Sequence, residues 1–223
     1  MIKALFFDID DTILDYDLCA VYTVRRACEI LGVPYSDAVQ TEYRKTDDAL
    51  WARQKLGELN IPQVLELRNA HMMAYLGLTD GMSFQEAFIT GFGESADLVE
   101  GADKILRAAK ERGLPVYSAS NGFLQVQTNR LEKAGVLQYF DRLFVSEVIG
   151  YEKPDSRFFA HCLAETGFEP REVLMIGDSV TADIKGALQA GWNVCYLNRH
   201  SKPCDVDCPT ITGWNEFDFD EVR

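Results

Sequence analysis

The sequence contains no apolar run of about 18 residues, the length that a membrane-spanning helix requires, so we expect no transmembrane segment and no membrane partner. Histidine is scarce, with three residues among 223, and the six cysteines form no Cys-x-x-Cys pair. A zinc site built from paired cysteines is therefore disfavoured. Scattered cysteines in apolar surroundings are typical of reduced, buried thiols, and we expect a cytoplasmic protein.

Basic residues are also few. Lysine and arginine number 22 against 35 acidic residues, which gives a formal net charge of −13. Nucleic acids and anionic membrane surfaces need cationic partners, so binding to a nucleic-acid polymer is disfavoured. A small anionic ligand would need a local positive group to overcome the overall field, and a bound metal ion would provide one.

Short apolar runs recur along the chain, and each ends in polar residues. Such runs are typical of parallel strands that are buried on both faces. The tail at residues 209–212 could add an edge strand. The runs are Lys3–Asp8, Pro115–Ala119, Arg142–Ser146, Val173–Ile176 and Asn193–Leu197.

Helical patterns lie between the runs, and each is followed by a glycine that can end a helix. They are Ala102–Arg112, Leu124–Ala134, Ser156–Thr166 and Thr181–Ala190. This alternation predicts an α/β fold with a doubly wound parallel sheet, in which ligands bind at the carboxyl ends of the strands. Residues 16–95 break the alternation, which predicts an all-helical insertion. Its helical stretches are Leu18–Leu31, Tyr35–Leu56, Pro62–Leu76 and Ser83–Phe92.

Pairs of acidic residues follow two of the predicted strands. Asp8 and Asp10 follow the first, and Asp178 and Asp183 follow the fourth. Two carboxyl groups at one strand end can act as nucleophile and acid–base, although capping of the next helix explains each pair equally well. Carboxylates gathered at one edge repel each other without a cation. Hard oxygen ligands of this kind suit Mg²⁺, which is the predicted cofactor.

A hydroxyl and a lysine follow the second and third predicted strands. Ser120 and the backbone N–H groups beside it, at Asn121 and Gly122, could hold a phosphate oxygen at a helix start. Lys153, before Pro154, could point back to the strand ends and neutralise a carboxylate and a phosphoryl group. Taken alone, a plain helix cap and a surface lysine explain these residues as well.

The order of the four motifs, each at a strand end, resembles the haloacid dehalogenase-like hydrolase superfamily. The resemblance covers the whole chain and implies a Rossmann-like core with an inserted helical cap. Residues 16–95 match that cap in position and type. We therefore assign residues 1–15 and 96–223 to a catalytic core and residues 16–95 to the cap.

The resemblance implies a catalytic role for each motif. Asp8 would be the nucleophile that forms an aspartyl-phosphate, and Asp10 would protonate the leaving oxygen and later activate water. Ser120 and the backbone N–H of Asn121 would bind the phosphoryl group, while Lys153 would neutralise charge in the transition state. Related dehalogenases lack an acid at the position of Asp10 and need no Mg²⁺, so Asp10 favours phosphoryl transfer.

A metal site is implied by the same resemblance. Mg²⁺ would be bound by the side chains of Asp8 and Asp178 and by the backbone carbonyl of Asp10. Asp183 would orient these ligands or contact the metal through water. Thr12 would support the loop by hydrogen bonding. The next position, Asp11, is variable in the family, and no role is assigned to it.

Longer strings look like bacterial 5′-nucleotidases that act on pyrimidine and non-standard nucleotides. They are Ser120–Phe123, Gln125–Gly135, Tyr139–Asp141 and Ser146–Pro154. Trp51 in the cap also resembles that branch, either as a stacking platform for a base or as a buried residue. We expect a Mg²⁺-dependent phosphomonoester hydrolase, a 5′-nucleotidase, with a sugar-phosphate phosphatase or a phosphomutase as the alternative. The expected partner is a small phosphate monoester, and both monomer and homodimer stay open.

Overall fold

The structure is a computed structural model that describes residues 1–220. Within them, six strands form one sheet, in which every neighbouring pair is parallel. The strands are β1 Ala4–Phe7, β2 Val116–Ser120, β3 Arg142–Val145, β4 Val173–Gly177, β5 Asn193–Leu197 and β6 Thr210–Ile211. Their order in the sheet is β3-β2-β1-β4-β5-β6. All the predicted strands are confirmed, including the edge strand near residue 210.

Strand β1 lies between β2 and β4, and all four of its residues are fully buried. Leu5 lies beside Val116 on one side and beside Leu174 on the other. Only an unbroken apolar run suits this position, because helices cover both faces of such a sheet. Since the strands are parallel, the residues that follow β1, β2 and β4 emerge at one edge of the sheet.

The chain separates into two compact units, Met1–Tyr16 with Ala96–Arg223, and Asp17–Ser95. The second unit contains the predicted helical insertion, and its helical character is confirmed. Its functional assignment as a cap stays a prediction. The helices are α1 Tyr16–Leu31, α2 Asp37–Lys55, α3 Ile61–Tyr75 and α4 Phe84–Glu94.

A buried ion pair links two helices inside the insertion. Arg68 of α3 donates to Asp47 Oδ1 of α2 at 2.8 Å, and the two side chains are 4% and 1% exposed. The guanidinium also lies over the Phe88 ring, 4.3 Å from its centroid. Trp51, one turn along α2, donates its indole N–H to the same Asp47 oxygen at 3.1 Å. This pair therefore orients a half-buried tryptophan within the insertion.

The other unit carries the remaining helices around the sheet. The predicted helices before and after β2 and before β4 are confirmed, and a further short helix follows β3 directly. Among residues 1–220, every helix is too short or too polar to span a lipid bilayer. The helices are α5 Ala102–Glu111, α6 Leu124–Lys133, α7 Ser146–Ile149, α8 Ser156–Thr166 and α9 Gly186–Gln189.

The structure of residues 181–190 differs from the single α-helix that the sequence predicts. The chain forms a π-helical turn at Val180–Lys185, and only α9 beyond it is α-helical. Close packing accompanies the change at Gly186, where a Cβ atom would lie 2.9 Å from the Phe159 ring and 3.0 Å from the Pro154 Cα. Wider turns of this kind are frequent at functional sites.

Candidate active site

Three adjacent strands deliver acidic and hydroxyl side chains to one edge of the sheet. Asp8 follows β1, Ser120 ends β2, and Asp178 follows β4. Lys153 comes from the loop between α7 and α8, and Asp183 from the π-helical turn. The predicted residues thus emerge together because parallel strands share one carboxyl edge.

Lys153 joins two of the acidic residues. Its ammonium donates to Asp8 Oδ1 at 2.7 Å and to Asp183 Oδ1 at 2.6 Å, and it also donates to the Ala119 carbonyl. The lysine is only 2% exposed. The Asn121 side chain fixes the lysine backbone, since its amide donates to the Lys153 carbonyl at 2.8 Å and its oxygen accepts from the Lys153 N–H at 2.7 Å. A buried, fully paired ammonium is therefore held against Asp8.

The protonation of these groups follows from their burial and their neighbours. Burial alone would lower the pKa of Lys153, but the carboxylates of Asp183 and Asp8 outweigh it and raise that pKa. Burial raises the pKa of Asp8, against the effect of Lys153 and with that of Asp183 and Asp178. Burial also raises the pKa of Asp178 to about 6, with Asp183 adding to the rise and Lys202 opposing it. Perturbed carboxyl groups gathered in one place are typical of a functional site.

Three of the carboxylates lie close enough together to hold a cation. Oxygen atoms of Asp8, Asp178 and Asp183 all lie within 4.8 Å of one another. Hard oxygen ligands at such spacing fit Mg²⁺ and similar divalent cations, and the positive ion would offset the repulsion among them. The donor chemistry of these residues therefore fits the predicted metal.

Asp183 and Gly177 form a close contact beside this cluster. Asp183 Oδ2 accepts from the Ser179 N–H at 2.9 Å, while its other oxygen accepts from Lys153. A Cβ atom at Gly177 would lie 2.2 Å from Asp183 Oδ2 and 2.4 Å from its Cγ. Only glycine at the end of β4 leaves space for this carboxylate.

Asp10 faces helix α6 and not the lysine. Arg130 Nη1 donates to Asp10 Oδ1 at 2.6 Å, and Gln127 Nε2 donates to Asp10 Oδ2 at 2.8 Å and to Ser120 Oγ at 3.1 Å. Gln127 and Arg130 lie in the string Gln125–Gly135 that resembles the nucleotidases, but the sequence alone predicts no role for either. The sequence feature that could have indicated a role is their spacing of three residues on the helix that follows Ser120.

Thr12 is fully buried, and its backbone makes the contact that joins it to the C-terminal part of the chain. Its carbonyl accepts a hydrogen bond from the Trp214 indole at 3.1 Å. Within residues 1–220, the hydroxyl itself has no hydrogen-bond partner. The predicted supporting role of Thr12 by hydrogen bonding stays a prediction.

Asp11, for which the sequence predicts no role, contacts the basic loop that follows β5. It adopts a left-handed backbone conformation with φ of 63°. Its carboxylate contacts Arg199 Nη1 at 3.2 Å and His200 Nε2 at 3.0 Å. Lys202 in the same loop donates to Asp178 Oδ2 at 3.2 Å. The loop after β5 therefore adds positive groups next to the acidic cluster.

Comparison with known proteins decides the family. The family model described as haloacid dehalogenase-like hydrolase matches residues 2–191. The chain belongs to the haloacid dehalogenase-like hydrolases. This finding confirms the resemblance predicted from the four motifs, and with it the Rossmann-like core.

Individual members of the haloacid dehalogenase-like hydrolases resemble the chain over most of its length. The pyrimidine 5′-nucleotidase PynA of Streptococcus pneumoniae is 30% identical over 200 residues, which cover 89% of this chain and 84% of PynA. The pyrimidine 5′-nucleotidase YjjG of Escherichia coli is 30% identical over 199 residues, covering 89% of this chain and 87% of YjjG. The structure of the HAD-hydrolase YfnB of Bacillus subtilis, bound to magnesium, matches with a TM-score of 0.84 at 28% identity over 96% of each chain.

These relatives establish the broad activity. The chain is an enzyme, a phosphatase of the haloacid dehalogenase-like hydrolases. A small phosphate-bearing molecule is the substrate that fits this family. The individual roles of the site residues stay predictions.

Proposed function

We propose that this phosphatase is a Mg²⁺-dependent 5′-nucleotidase that forms an aspartyl-phosphate on Asp8. The observation that carries the proposal is the buried ion pair between Lys153 and Asp8, next to the three-carboxylate cluster. A nucleophilic carboxylate needs one oxygen held and the other available, and Lys153 holds Oδ1. The cluster supplies the donor atoms for the metal.

The reaction would proceed in two steps. In the first, an oxygen of Asp8 bonds to phosphorus while the bond from phosphorus to the ester oxygen breaks, and Asp10 gives a proton to that oxygen. In the second, Asp10 takes a proton from water, and the water oxygen displaces Asp8 and releases inorganic phosphate. Lys153 and Ser120 would stabilise the phosphoryl oxygens in both steps. When bound, Mg²⁺ would neutralise phosphoryl charge and orient the group for attack.

The proposed substrates are nucleoside 5′-monophosphates, pyrimidine ones first. Two relatives at 30% identity are pyrimidine 5′-nucleotidases, and each match covers 89% of this chain. The net charge of −13 disfavours large polyanions and leaves small monoesters. Trp51, oriented by Asp47, supplies an aromatic surface of the type on which a base stacks. The proposed compartment is the cytoplasm.

A substrate panel tests the proposal. Phosphate release is measured from nucleoside monophosphates and from sugar phosphates, with Mg²⁺ and with EDTA. We expect metal-dependent release that is highest on pyrimidine monophosphates. Asp8→Asn should abolish it. Asp103→Asn should leave it unchanged, because Asp103 is a half-buried aspartate of α5 that lies 3.7 Å from Arg107 in an ion pair.

The other results of the panel have definite meanings. Release from sugar phosphates alone would refute the nucleotidase assignment and leave the two-step mechanism in place. Transfer of the phosphoryl group to a second hydroxyl of a hexose phosphate would identify a phosphomutase. Near wild-type activity of a folded Asp8→Asn variant would overturn the mechanism.

A further inference from the structure

Helix α6 carries two polar side chains that are completely enclosed. Gln127 is 1% exposed and Arg130 is 0% exposed. Burying a guanidinium is expensive unless an opposite charge and hydrogen bonds compensate. The compensating charge here belongs to Asp10, which lies more than a hundred residues away in the sequence. A buried arginine is therefore directed at one residue of the active site.

The two side chains hold both oxygens of one carboxylate. Arg130 Nη1 lies 2.6 Å from Asp10 Oδ1, and Gln127 Nε2 lies 2.8 Å from Asp10 Oδ2. Arg130 also donates to Gln127 Oε1 at 2.9 Å, which fixes the orientation of the glutamine amide. The Asp10 side chain is 33% exposed. Its carboxylate is thus held by hydrogen bonds from α6 and stays accessible to a substrate or water.

The same glutamine reaches the phosphate-binding hydroxyl. Gln127 Nε2 lies 3.1 Å from Ser120 Oγ as well as 2.8 Å from Asp10. One amide group therefore sets the relative positions of the proposed acid–base and the proposed phosphoryl ligand. Placement matters for proton transfer, since a misplacement of roughly 1 Å can slow a reaction by about 10²-fold.

We propose that Gln127 and Arg130 are positioning residues for the acid–base step, which hold the Asp10 carboxylate where it meets the leaving oxygen. This inference rests on the proposed function, because it assumes that Asp10 moves the proton. Arginine stays protonated in proteins, so Arg130 orients the carboxylate and does not take part in the transfer. The proton travels between Asp10 and the ester oxygen or water.

Leaving-group dependence separates positioning from a purely structural role. The ester oxygen of a nucleoside monophosphate is a poor leaving group and needs the proton from Asp10. The oxygen of p-nitrophenyl phosphate leaves readily without one. Loss of positioning should therefore reduce kcat/KM on the nucleotide and spare it on the aryl ester. A general loss of fold would reduce both equally.

The experiment compares Arg130→Met, Arg130→Lys and Gln127→Leu on uridine 5′-monophosphate and p-nitrophenyl phosphate. Arg130→Met should lower kcat/KM on the nucleotide by about tenfold or more while the aryl ester stays within about threefold of wild type. Arg130→Lys should restore part of the loss, and Gln127→Leu should act in the same direction. Gln125→Leu is the matched control, because Gln125 is an exposed residue of the same helix whose amide donates to the exposed Asn129.

The outcomes are distinguishable from failure of the proposed function. Asp10→Asn is measured alongside and should lose about 10²–10⁴-fold on the nucleotide. If Asp10→Asn is selective for the nucleotide and the α6 variants reduce both substrates equally or neither, the inference is refuted. If Asp10→Asn itself shows no selectivity, the acid role proposed for Asp10 fails first. Should Arg130→Met not fold, Gln127→Leu and Arg130→Lys decide the matter.

Discussion

Replacing Gly177 with alanine should displace the most enclosed carboxylate of the site. The added Cβ would lie 2.2 Å from Asp183 Oδ2 and 2.8 Å from the Asp183 Cβ. Both distances are shorter than the closest approach of non-bonded atoms, so Asp183 would have to move. The glycine backbone itself needs no left-handed conformation, since Gly177 is not among the residues with positive φ. The effect of the substitution therefore comes from the collision alone.

The magnitude follows from what Asp183 loses when it moves. Overpacking in a core costs about 1–3 kcal/mol, and breaking a buried ion pair costs about 3–5 kcal/mol. Asp183 is 1% exposed and bonds to Lys153 Nζ at 2.6 Å and to the Ser179 N–H at 2.9 Å. Since relaxation keeps part of these contacts, we expect Gly177→Ala to lower the free energy of unfolding by about 2–5 kcal/mol.

Urea unfolding of a double-mutant cycle checks this reasoning. Gly177→Ala, Asp183→Ala and the double variant are compared with wild type in metal-free buffer. With the Asp183 carboxylate removed, the new methyl group has space, so the double variant should match Asp183→Ala within about 0.5 kcal/mol. Additive losses would show that Gly177 is required for another reason and would refute the argument from collision.

Three further predictions concern the charged groups. Lys153→Met should reduce kcat by about 10²-fold or more, since the developing phosphoryl charge loses its ammonium, and steady-state phosphate release within tenfold of wild type would contradict this. Magnesium should raise the thermal unfolding midpoint of the wild-type protein, because it binds the folded state. The Asp178→Asn variant should need a much higher magnesium concentration for the same rise in midpoint. An equal rise at equal magnesium concentration would exclude Asp178 as a ligand. In the insertion, Arg68→Met should break the buried ion pair with Asp47 and lower the free energy of unfolding by about 3–5 kcal/mol in urea. A loss below about 1 kcal/mol would show that this pair contributes little net stability.

The sheet could be predicted because its strands are short apolar runs that do not show the spacing of apolar residues typical of a helix. Val173–Gly177 illustrates this, since all of its residues are buried and no polar residue interrupts the pattern. The π-helical turn at Val180–Lys185 could not be predicted in the same way. Its apolar spacing differs little from that of an α-helix, and the close packing of Gly186 against Phe159 and Pro154 that accompanies it involves residues distant in the sequence.

The side chains that contact the site residues were the hardest feature to predict from the sequence. Helix α6 reads as a polar, solvent-facing helix, yet Gln127 and Arg130 are enclosed because Asp10 lies against them. The pairing spans 117 and 120 residues along the chain. Local pattern carries no information about such distant contacts. Asp8, Ser120 and Asp178 could be predicted because each lies at the end of an apolar strand.

The central position of β1 has a consequence for synthesis of the chain. Its four apolar residues are synthesised long before their partners, which begin at Val116 in β2 and at Val173 in β4. The helical insertion can fold from local contacts in the meantime, whereas β1 waits for both neighbours. Until β4 is made, Ala4–Phe7 is an unpaired, aggregation-prone edge. The segment that leads into Asp8, the proposed nucleophile, therefore becomes ordered late, and chaperone binding during translation should concentrate on it.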